Sequence, residues 1–493
     1  MQRGLLAIGT PPEGGPTAQS SCPWRVEGAG FAVLVVAGAV LLLLQLAITS
    51  LSWHFEPVTP LLDLPIGRFV ALQVSAGVVY LAVILVANRT RVSRALLITI
   101  AAVGLLLRAA AWPSQPILED DFHRYLWDGA ASSAGVSPYR FAPAEILGGD
   151  AAVPERLRLE ALSGGATVAQ INHPALTTIY PPVAQAAFLL AHLFAPFDLD
   201  AWKFVLLIAD AATAFLLFRL LTALGLPHTL LAIYWWNPLL VTETFNSAHM
   251  DVLLLPFLLG ALLMRMRRRP FSTAALLALA TGVKLWPVLL APLLLAPWIR
   301  RPGRRLLVPL AYATLTGLFL LPMLVARWAH SGLASYTQGW EMNNALFAAL
   351  SWLAGLVPGL AGAAPILLRV ALAAALAALA GIVGARDLGS PAALARGALV
   401  VTAALLLASP AQFPWYFLWL LPLLALVPSA PLLALTAVLP LYYLRFHFLA
   451  AGAVGLFDHV VVFLEWVPIW VLLLWALVRR NRPAGQPRLV EEA

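Results

Sequence analysis

The chain has 493 residues, of which 61% are hydrophobic and only 11% are charged. This composition excludes a soluble globular protein and indicates an all-α polytopic membrane protein, because long Leu-, Ala- and Val-rich runs suit helices rather than alternating barrel strands. The net charge of +8 comes largely from Arg clusters that follow the positive-inside rule, and the single cysteine, Cys22, excludes an intramolecular disulfide. Residues 1–28 are polar and lack the features of a signal peptide, so we predict a cytosolic tail.

The apolar runs predict about 12–14 membrane spans in one domain over residues 29–480, with a second cytosolic tail at 481–493. Three basic residues follow the second run and place the loop behind it in the cytoplasm: Arg89, Arg91 and Arg94. The third span should therefore end on the extracytoplasmic side. The first three spans are expected at 30–51, 68–87 and about 95–111.

Residues 112–175, the polar loop, form the longest polar stretch, and we predict that they are an extracytoplasmic catalytic loop with interfacial helices. Residues 119–130 are amphipathic, and the turn sequence Gly135-Val136-Ser137-Pro138-Tyr139 follows them. Residues 178–195 are apolar and either span the membrane or enter it and return. The loop is where we expect chemistry.

Later spans are expected at 203–222, 229–246, 250–264, 304–326, 362–384, 394–409, 414–428, 430–446 and 459–479. Residues 272–298 are interpreted as two half-length helices in a cytoplasmic hairpin, with one long kinked span as the alternative. This topology places four polar clusters on the extracytoplasmic face: Glu119–Asp128, Asn246–Asp251, Trp340–Asn344 and Gln412–Tyr416.

The acidic cluster, Glu119-Asp120-Asp121, stands just after the third span. Adjacent carboxylates repel, which raises one pKa and suits a general base near a membrane cleft. The alternative is an interfacial helix with intrahelical ion pairs, since Arg124 lies within one turn of both aspartates and of Asp128. Both interpretations remain open at this point.

Other polar residues near predicted span ends are candidates for substrate binding, each with an ordinary structural alternative. Lys284 stands inside an apolar segment and could pair with a phosphate or extend to the interface. His249 and Asp251 favour hydroxyl or phosphate contact over a metal site, because no third ligand follows at regular spacing, and a helix cap is the alternative. The set of substrate-binding candidates is Glu119, Arg124, Tyr125, Asp128, Tyr139, His173, Tyr180, His249, Asp251, Lys284, Glu341, Asn343, Gln412, Tyr416 and Arg445.

The run Asp120–Gly129, followed by Gly135–Tyr139 and Pro143, resembles the first outer loop of bacterial GT-C glycosyltransferases, and more narrowly that of polyprenol-phosphate-mannose-dependent mannosyltransferases. Two departures stand out: Ala248 occupies a position that is often Gly, and Ser137 one that is often Asn. Later elements match the same pattern in order: Tyr180-Pro181-Pro182, Trp236-Asn237-Pro238, His249-Met250-Asp251, Lys284-Leu285-Trp286-Pro287, Trp340-Glu341-Met342-Asn343 and Pro414-Trp415-Tyr416.

The resemblance implies an inverting transferase that takes a sugar, mannose first, from a polyprenyl-phosphate donor to a cell-envelope glycan or glycolipid acceptor. It implies a catalytic carboxylate in the first outer loop, assigned to Asp121 with Asp120 as the alternative. No cofactor is obligatory because the polyprenyl phosphate is a good leaving group, although a divalent cation is compatible with the site. The expected location is the bacterial plasma membrane, with the site on the extracytoplasmic side. A lipid or polysaccharide transporter or flippase is the alternative function.

Overall fold

The computed structural model describes residues 24–87, 90, 92–300, 306–326, 331–359, 362–386 and 388–480. Within these ranges the regular structure is helical, with two isolated bridges and no strand, which confirms the predicted fold class. Residues 24–28, expected in the first tail, already belong to the first helix; the rest of that tail, the second tail, and Arg89 and Arg91 lie outside the described residues. The first helices are α1 (Trp24–Ser52), α2 (Ile66–Ala87) and α3 (Arg94–Ala111).

The polar loop folds into short helices with their own apolar core around Trp127. Its amphipathic segment begins one or two residues later than expected, because Asp120 occupies the N-cap position and Asp121 is the first helical residue. The helices of the loop are α4 (Asp121–Ser133), α5 (Pro143–Leu147), α6 (Glu155–Gly164) and α7 (Ala166–Ala169).

The remaining helices form the body of the protein. The first group is α8 (Pro182–Phe194), α9 (Leu199–Leu224), α10 (Leu231–Trp235), α11 (Pro238–Phe245), α12 (Leu254–Met266), α13 (Pro270–Val283) and α14 (Ala291–Ile299). The second group is α15 (Leu307–Leu324), α16 (Gly332–Gly339), α17 (Ala345–Gly355), α18 (Ala364–Ala385), α19 (Pro391–Ala408), α20 (Leu421–Leu426), α21 (Ala430–Val438), α22 (Leu444–Ala450), α23 (Val454–Leu456) and α24 (Val462–Arg480).

Among the described residues, nine helices are long and apolar enough to cross a membrane, or ten if one bent pair counts as a span. This number is smaller than the expected 12–14, because several apolar segments fold as helices too short to cross a bilayer unaided. The segment at 178–195 is one of these. The short apolar helices are Pro182–Phe194, Pro270–Val283, Trp286–Ile299, Ala345–Gly355 and Pro414–Leu426.

Polar residues lie inside the body of the protein at two places where a helix is interrupted. Helix α11 and the segment Met250–Met266 meet at 105°, and His249 lies in the break between them. Residues 272–298 also break, since α13 ends at Val283 and Lys284 is extended before a 3-10 turn begins at Trp286. The two short helices predicted there are present, and Lys284 stands between them.

A buried ion pair joins α3 to α9. The guanidinium of Arg108 donates to both carboxylate oxygens of Asp210, at 2.5 and 3.2 Å. The Cζ atom of Arg108 lies 3.5 Å from the ring centre of Trp235. Tyr234 donates to the same carboxylate at 2.7 Å. Because both charges are fully buried and hydrogen-bonded, this pair fixes the end of α3 from which the polar loop departs.

The chain between α3 and the acidic cluster is held by buried polar side chains. Lys203 Nζ donates to the carbonyl oxygens of Trp112 and Ser114, at 2.9 and 3.1 Å. Asn246 accepts from the Ile117 amide at 3.1 Å and donates to the carbonyl of Gln115 at 2.6 Å. Irregular backbone is tolerated inside a membrane protein where side chains satisfy it in this way.

Gly129 allows α4 to pack directly on α8. A Cβ atom at this position would lie 2.4 Å from the carbonyl oxygen of Phe188. The same interface is filled by Tyr125, whose ring stacks on Phe188 at 4.8 Å and packs against Trp202 at 5.5 Å. Close contact here sets the position of α4 and therefore of Asp121 at its start.

Candidate active site

A cavity of about 730 Å³ lies where the polar loop meets the body of the protein. This size suits a small-molecule or sugar-bearing substrate. Eleven of the predicted site residues line it: Glu119, Asp120, Asp121, Arg124, Tyr125, His173, Tyr180, Lys284, Glu341, Tyr416 and Arg445. Residues separated by more than three hundred positions in the chain thus share one wall, and their roles remain predictions.

Asp121 is held by three neutral side chains. Asn172 donates to Oδ1 at 3.0 Å, while the hydroxyls of Tyr180 and Tyr125 donate to Oδ2 at 3.2 and 3.4 Å. The carboxylate also stands at the N-terminus of α4, where the helix dipole stabilises negative charge. Its side chain is 24% exposed, so it remains accessible from the cavity.

Asp120 shares the Asn172 side chain, which donates to its Oδ1 at 2.7 Å. Desolvation within the protein, followed by the charge of Asp121, raises the pKa of Asp120 to about 6. Burial and the charges of Glu243, Asp121 and Asp120 raise the pKa of Glu119 well above its usual value. The three carboxyl groups are therefore electrostatically coupled.

Arg124 does not form the intrahelical ion pairs that the sequence spacing allowed. Its guanidinium donates instead to three backbone carbonyls, those of Leu176, Asn172 and His173, at 3.0–3.1 Å. Among the described residues, Arg124 forms no ion pair within 4.0 Å with Asp120, Asp121 or Asp128, because its guanidinium binds the chain at 172–176 instead. Arg124 instead fixes the segment that carries Asn172.

Lys284 is paired within the cavity wall. Its ammonium lies 2.7 Å from Asp251 Oδ1 and 4.4 Å from the ring centre of Tyr416. Trp419 donates to the same Asp251 oxygen at 2.8 Å. The alternative of a lysine reaching for the membrane interface is wrong, since Lys284 faces Asp251 and the aromatic rings.

Arg445 differs from the other two cavity cations. In the part of the chain that the structure describes, it has no ion pair or hydrogen bond, although it lines the cavity beside Tyr442 and Phe446. Glu341, in contrast, is paired with Arg369 at 2.9 Å. Arg445 is thus the cavity cation left available for an anionic ligand.

Four predicted contact residues lie behind the cavity wall. Asp128 accepts from Gln185 at 2.9 Å, and burial raises its pKa to about 6 despite the charge of Arg124. Tyr139 donates to the carbonyl of Tyr180 at 2.6 Å. Internal partners hold both side chains, neither residue lines the cavity, and their roles in substrate binding stay predictions.

Asn343 and Gln412 are the other two. Asn343 donates to Glu465 at 3.1 Å, and Gln412 donates to the carbonyl of Ser409 at 3.0 Å. They are 3% and 1% exposed, and neither lines the cavity. They support the loop that places Trp340 and Glu341 on the wall.

Asp251 and His249 are also fully buried. Asp251 is paired with Lys284. The imidazole of His249 stacks on Trp415, with ring centres 3.8 Å apart, and lies 3.8 Å from Asp121. Neither lines the cavity, and their roles in substrate binding stay predictions.

Backbone strain concentrates around the cavity. Four residues beside it adopt left-handed backbone conformations without being glycine: Leu118, His173, Ala248 and Asn343. Ala248 has φ of +57°, which explains physically why glycine would suit this position. Such strain persists at functional sites where surrounding contacts enforce it.

Sequence reasoning left out three residues that shape the site. Asn172 stands next to a candidate, His173, but its link to both aspartates depends on the fold. Glu243 is a carboxyl group in an apolar segment and could have been selected as an intramembrane charge. Arg369 lies inside the apolar helix α18 and could have been selected as an intramembrane charge in the same way.

Among the described residues, no group of three or more His, Cys, Asp and Glu is arranged to hold a metal ion. Residues 178–410 match the family model of glycosyltransferase family 87. The match supports a membrane glycosyltransferase. It covers just under half of the chain and includes Tyr180, His249, Asp251, Lys284, Glu341 and Asn343, whereas the acidic cluster lies before it. No curated protein and no solved structure matches the chain.

Proposed function

We propose that the chain is an inverting glycosyltransferase that moves a sugar, mannose first, from a polyprenyl-phosphate donor to a cell-envelope glycan or glycolipid acceptor. The observation that carries this proposal is the cavity in which an oriented carboxylate, an unpaired guanidinium and many aromatic rings meet. Its place is the bacterial plasma membrane, with the cavity facing the extracytoplasmic side.

Asp121 is the general base in this proposal. Its hydrogen bonds from Asn172, Tyr180 and Tyr125 fix the carboxylate and leave part of it open to the cavity. It removes the proton of the acceptor hydroxyl as that oxygen attacks the anomeric carbon of the sugar. The bond from that carbon to the phosphate breaks on the opposite side, which inverts the configuration. Asp120 tunes the charge of its neighbour and is the alternative base.

Arg445 binds the phosphate of the donor. Arg124 already donates to three carbonyls and Lys284 is paired with Asp251, so Arg445, which has no such partner among the described residues, has the most donor capacity to offer. A guanidinium suits this task because it makes paired hydrogen bonds to phosphate oxygens and stabilises the charge that develops on the leaving group. No metal is needed for this step, since the phosphate is already a good leaving group.

Aromatic side chains supply surfaces for the sugar ring and the isoprenoid. His173 packs against Trp340 at 5.0 Å, and Tyr416 stacks on Trp419 at 4.8 Å. Leu, Trp, Phe and Tyr side chains line much of the cavity wall, which suits a lipid-linked donor better than a nucleotide sugar.

The donor assignment is tested with purified protein and labelled polyprenyl-phosphate mannose. We expect transfer to a lipid or glycan fraction, and none from a nucleotide sugar. Arg445→Ala should raise the donor KM by about 10–100-fold, the value of a charged hydrogen bond. Arg140→Ala, which removes an exposed arginine of the polar loop, is the control. Transfer from the nucleotide sugar alone, or an unchanged donor KM in Arg445→Ala, contradicts the assignment.

The transporter alternative has no observation in its favour within the described residues, and the family match supports transfer chemistry instead. It makes a distinct prediction. A transporter would move labelled lipid across a liposome bilayer without forming a new glycosidic bond, so product analysis by mass spectrometry separates the two functions.

A further inference from the structure

His249 is a buried imidazole surrounded by carboxyl groups. Its Nδ1 lies 3.8 Å from Asp121 Oδ2, and its Nε2 lies 3.6 Å from Glu243 Oε2 and 3.8 Å from Glu119 Oε2. Among the residues that the structure describes, neither ring nitrogen has a hydrogen-bond partner, and the side chain is fully buried. An unsatisfied buried imidazole is costly, which points to a role that uses these nitrogens.

We propose that His249 is a positioning residue for Asp121 that receives the proton Asp121 takes from the acceptor hydroxyl. This inference rests on the proposed transferase function and assigns to His249 a role other than substrate contact. A shift of about 1 Å toward Asp121 would turn the present separation into a hydrogen bond.

The surroundings select the required tautomer. Two carboxyl groups lie 3.6 and 3.8 Å from Nε2, against one near Nδ1, so the tautomer that carries its proton on Nε2 has more acceptors within reach of a small movement and directs the lone pair of Nδ1 at Asp121. Tyr443 holds Glu243 in place by donating to both of its oxygens, at 2.9 and 3.1 Å. The imidazole is therefore oriented as an acceptor toward Asp121 before any proton moves.

The proton balance is closed. The acceptor oxygen forms its bond to the anomeric carbon and gives its proton to Asp121, and the sugar–phosphate bond breaks with its electron pair on the phosphate. Asp121 passes the proton to Nδ1 and becomes a carboxylate again. The imidazolium, held beside Glu119 and Glu243, returns its proton to Asp121, which is exposed to the cavity and releases it to water when the phosphate product leaves.

A purely structural role makes a different prediction. The His249 ring stacks on Trp415 with an interplanar angle of 17°, a contact that phenylalanine can reproduce. His249→Phe therefore keeps the packing and removes both nitrogens. If His249 only fills space, this variant should turn over at the rate of the parent protein.

We expect His249→Phe to lower kcat by about 100-fold, the contribution typical of a positioned proton acceptor, while the donor KM and the unfolding midpoint stay close to the parent values. His249→Gln, which cannot take up a proton, should lose a similar factor. The matched control is His192→Phe, because His192 is also a buried histidine packed against an aromatic ring, Phe197 at 5.3 Å, but lies outside the cavity.

A near-parental kcat in His249→Phe, with the variant folded, overturns the relay. So does a loss confined to the donor KM, which would return His249 to substrate binding. Failure of the proposed function has a separate signature: the parent protein itself would transfer no sugar from polyprenyl-phosphate mannose, whatever residue stands at 249.

Discussion

Removing Asp210 should destabilise the fold and displace the acidic cluster. The substitution Asp210→Ala leaves the guanidinium of Arg108 fully buried without its carboxylate and leaves the Tyr234 hydroxyl without its acceptor. Arg108 keeps two carbonyl partners and the ring of Trp235. Orphaning one member of a buried ion pair costs about 3–5 kcal/mol, so we expect a loss of that size in the free energy of unfolding.

The assay is unfolding of the purified protein in mixed micelles as SDS is added, followed by tryptophan fluorescence. Asp210→Asn should lose less than Asp210→Ala, because the amide oxygen still accepts from Tyr234. The double variant Arg108→Met, Asp210→Leu should be more stable than Asp210→Ala alone, since no buried charge remains unpaired. The reasoning is refuted if Asp210→Ala lowers the free energy of unfolding by less than about 1 kcal/mol, or if the double variant is less stable than Asp210→Ala.

Three further outcomes are expected. The pKa of Asp128 is about 6 in the folded protein, against an ordinary value of 3.8, so the folded protein binds this proton more tightly than the unfolded chain does. The protonated Asp128 therefore contributes fully to the free energy of unfolding below pH 4. That contribution is lost as the pH rises through 6. Asp128→Asn should therefore stabilise the protein at pH 8 relative to pH 4.5, by about 2 kcal/mol, in unfolding titrations at both pH values; equal effects would contradict this sign. Ala248→Gly should stay within about 1 kcal/mol of the parent, because relief of left-handed strain offsets a lost methyl group, whereas Ala248→Val should cost more than about 2 kcal/mol in the same assay. Single cysteines in a background without Cys22 should react with a membrane-impermeant maleimide in intact cells at position 150 and not at position 268; the reverse pattern would invert the topology.

The sequence allowed prediction of the helical membrane fold and of the polar loop, since both depend on composition and run length. It also singled out residues that the fold brings to one cavity, because charged groups in apolar surroundings are rare enough to select individually. Asp121, Lys284 and Arg445 were found in this way. Their roles stay predictions until they are tested by substitution.

The sequence did not predict which side chains on different helices contact each other. The bond between Arg108 and Asp210 joins residues 102 positions apart, and no periodicity in α3 or α9 indicates the partner. For the same reason Asn172 was not predicted, and Gln412 and Asn343 were predicted to bind substrate although they lie behind the cavity wall. In helices that are apolar on every face, pattern alone does not separate a wall position from one behind it.

The claim that Asp121 is the base is tested most directly by one comparison of transfer rates. Asp121→Asn, Asp120→Asn and the control Asp63→Asn, an exposed aspartate between α1 and α2, are assayed with labelled polyprenyl-phosphate mannose. We expect kcat to fall by at least about 100-fold in Asp121→Asn, to fall less in Asp120→Asn, and to remain at the parent value in Asp63→Asn. Near-parental rates in both Asp121→Asn and Asp120→Asn would contradict the mechanism.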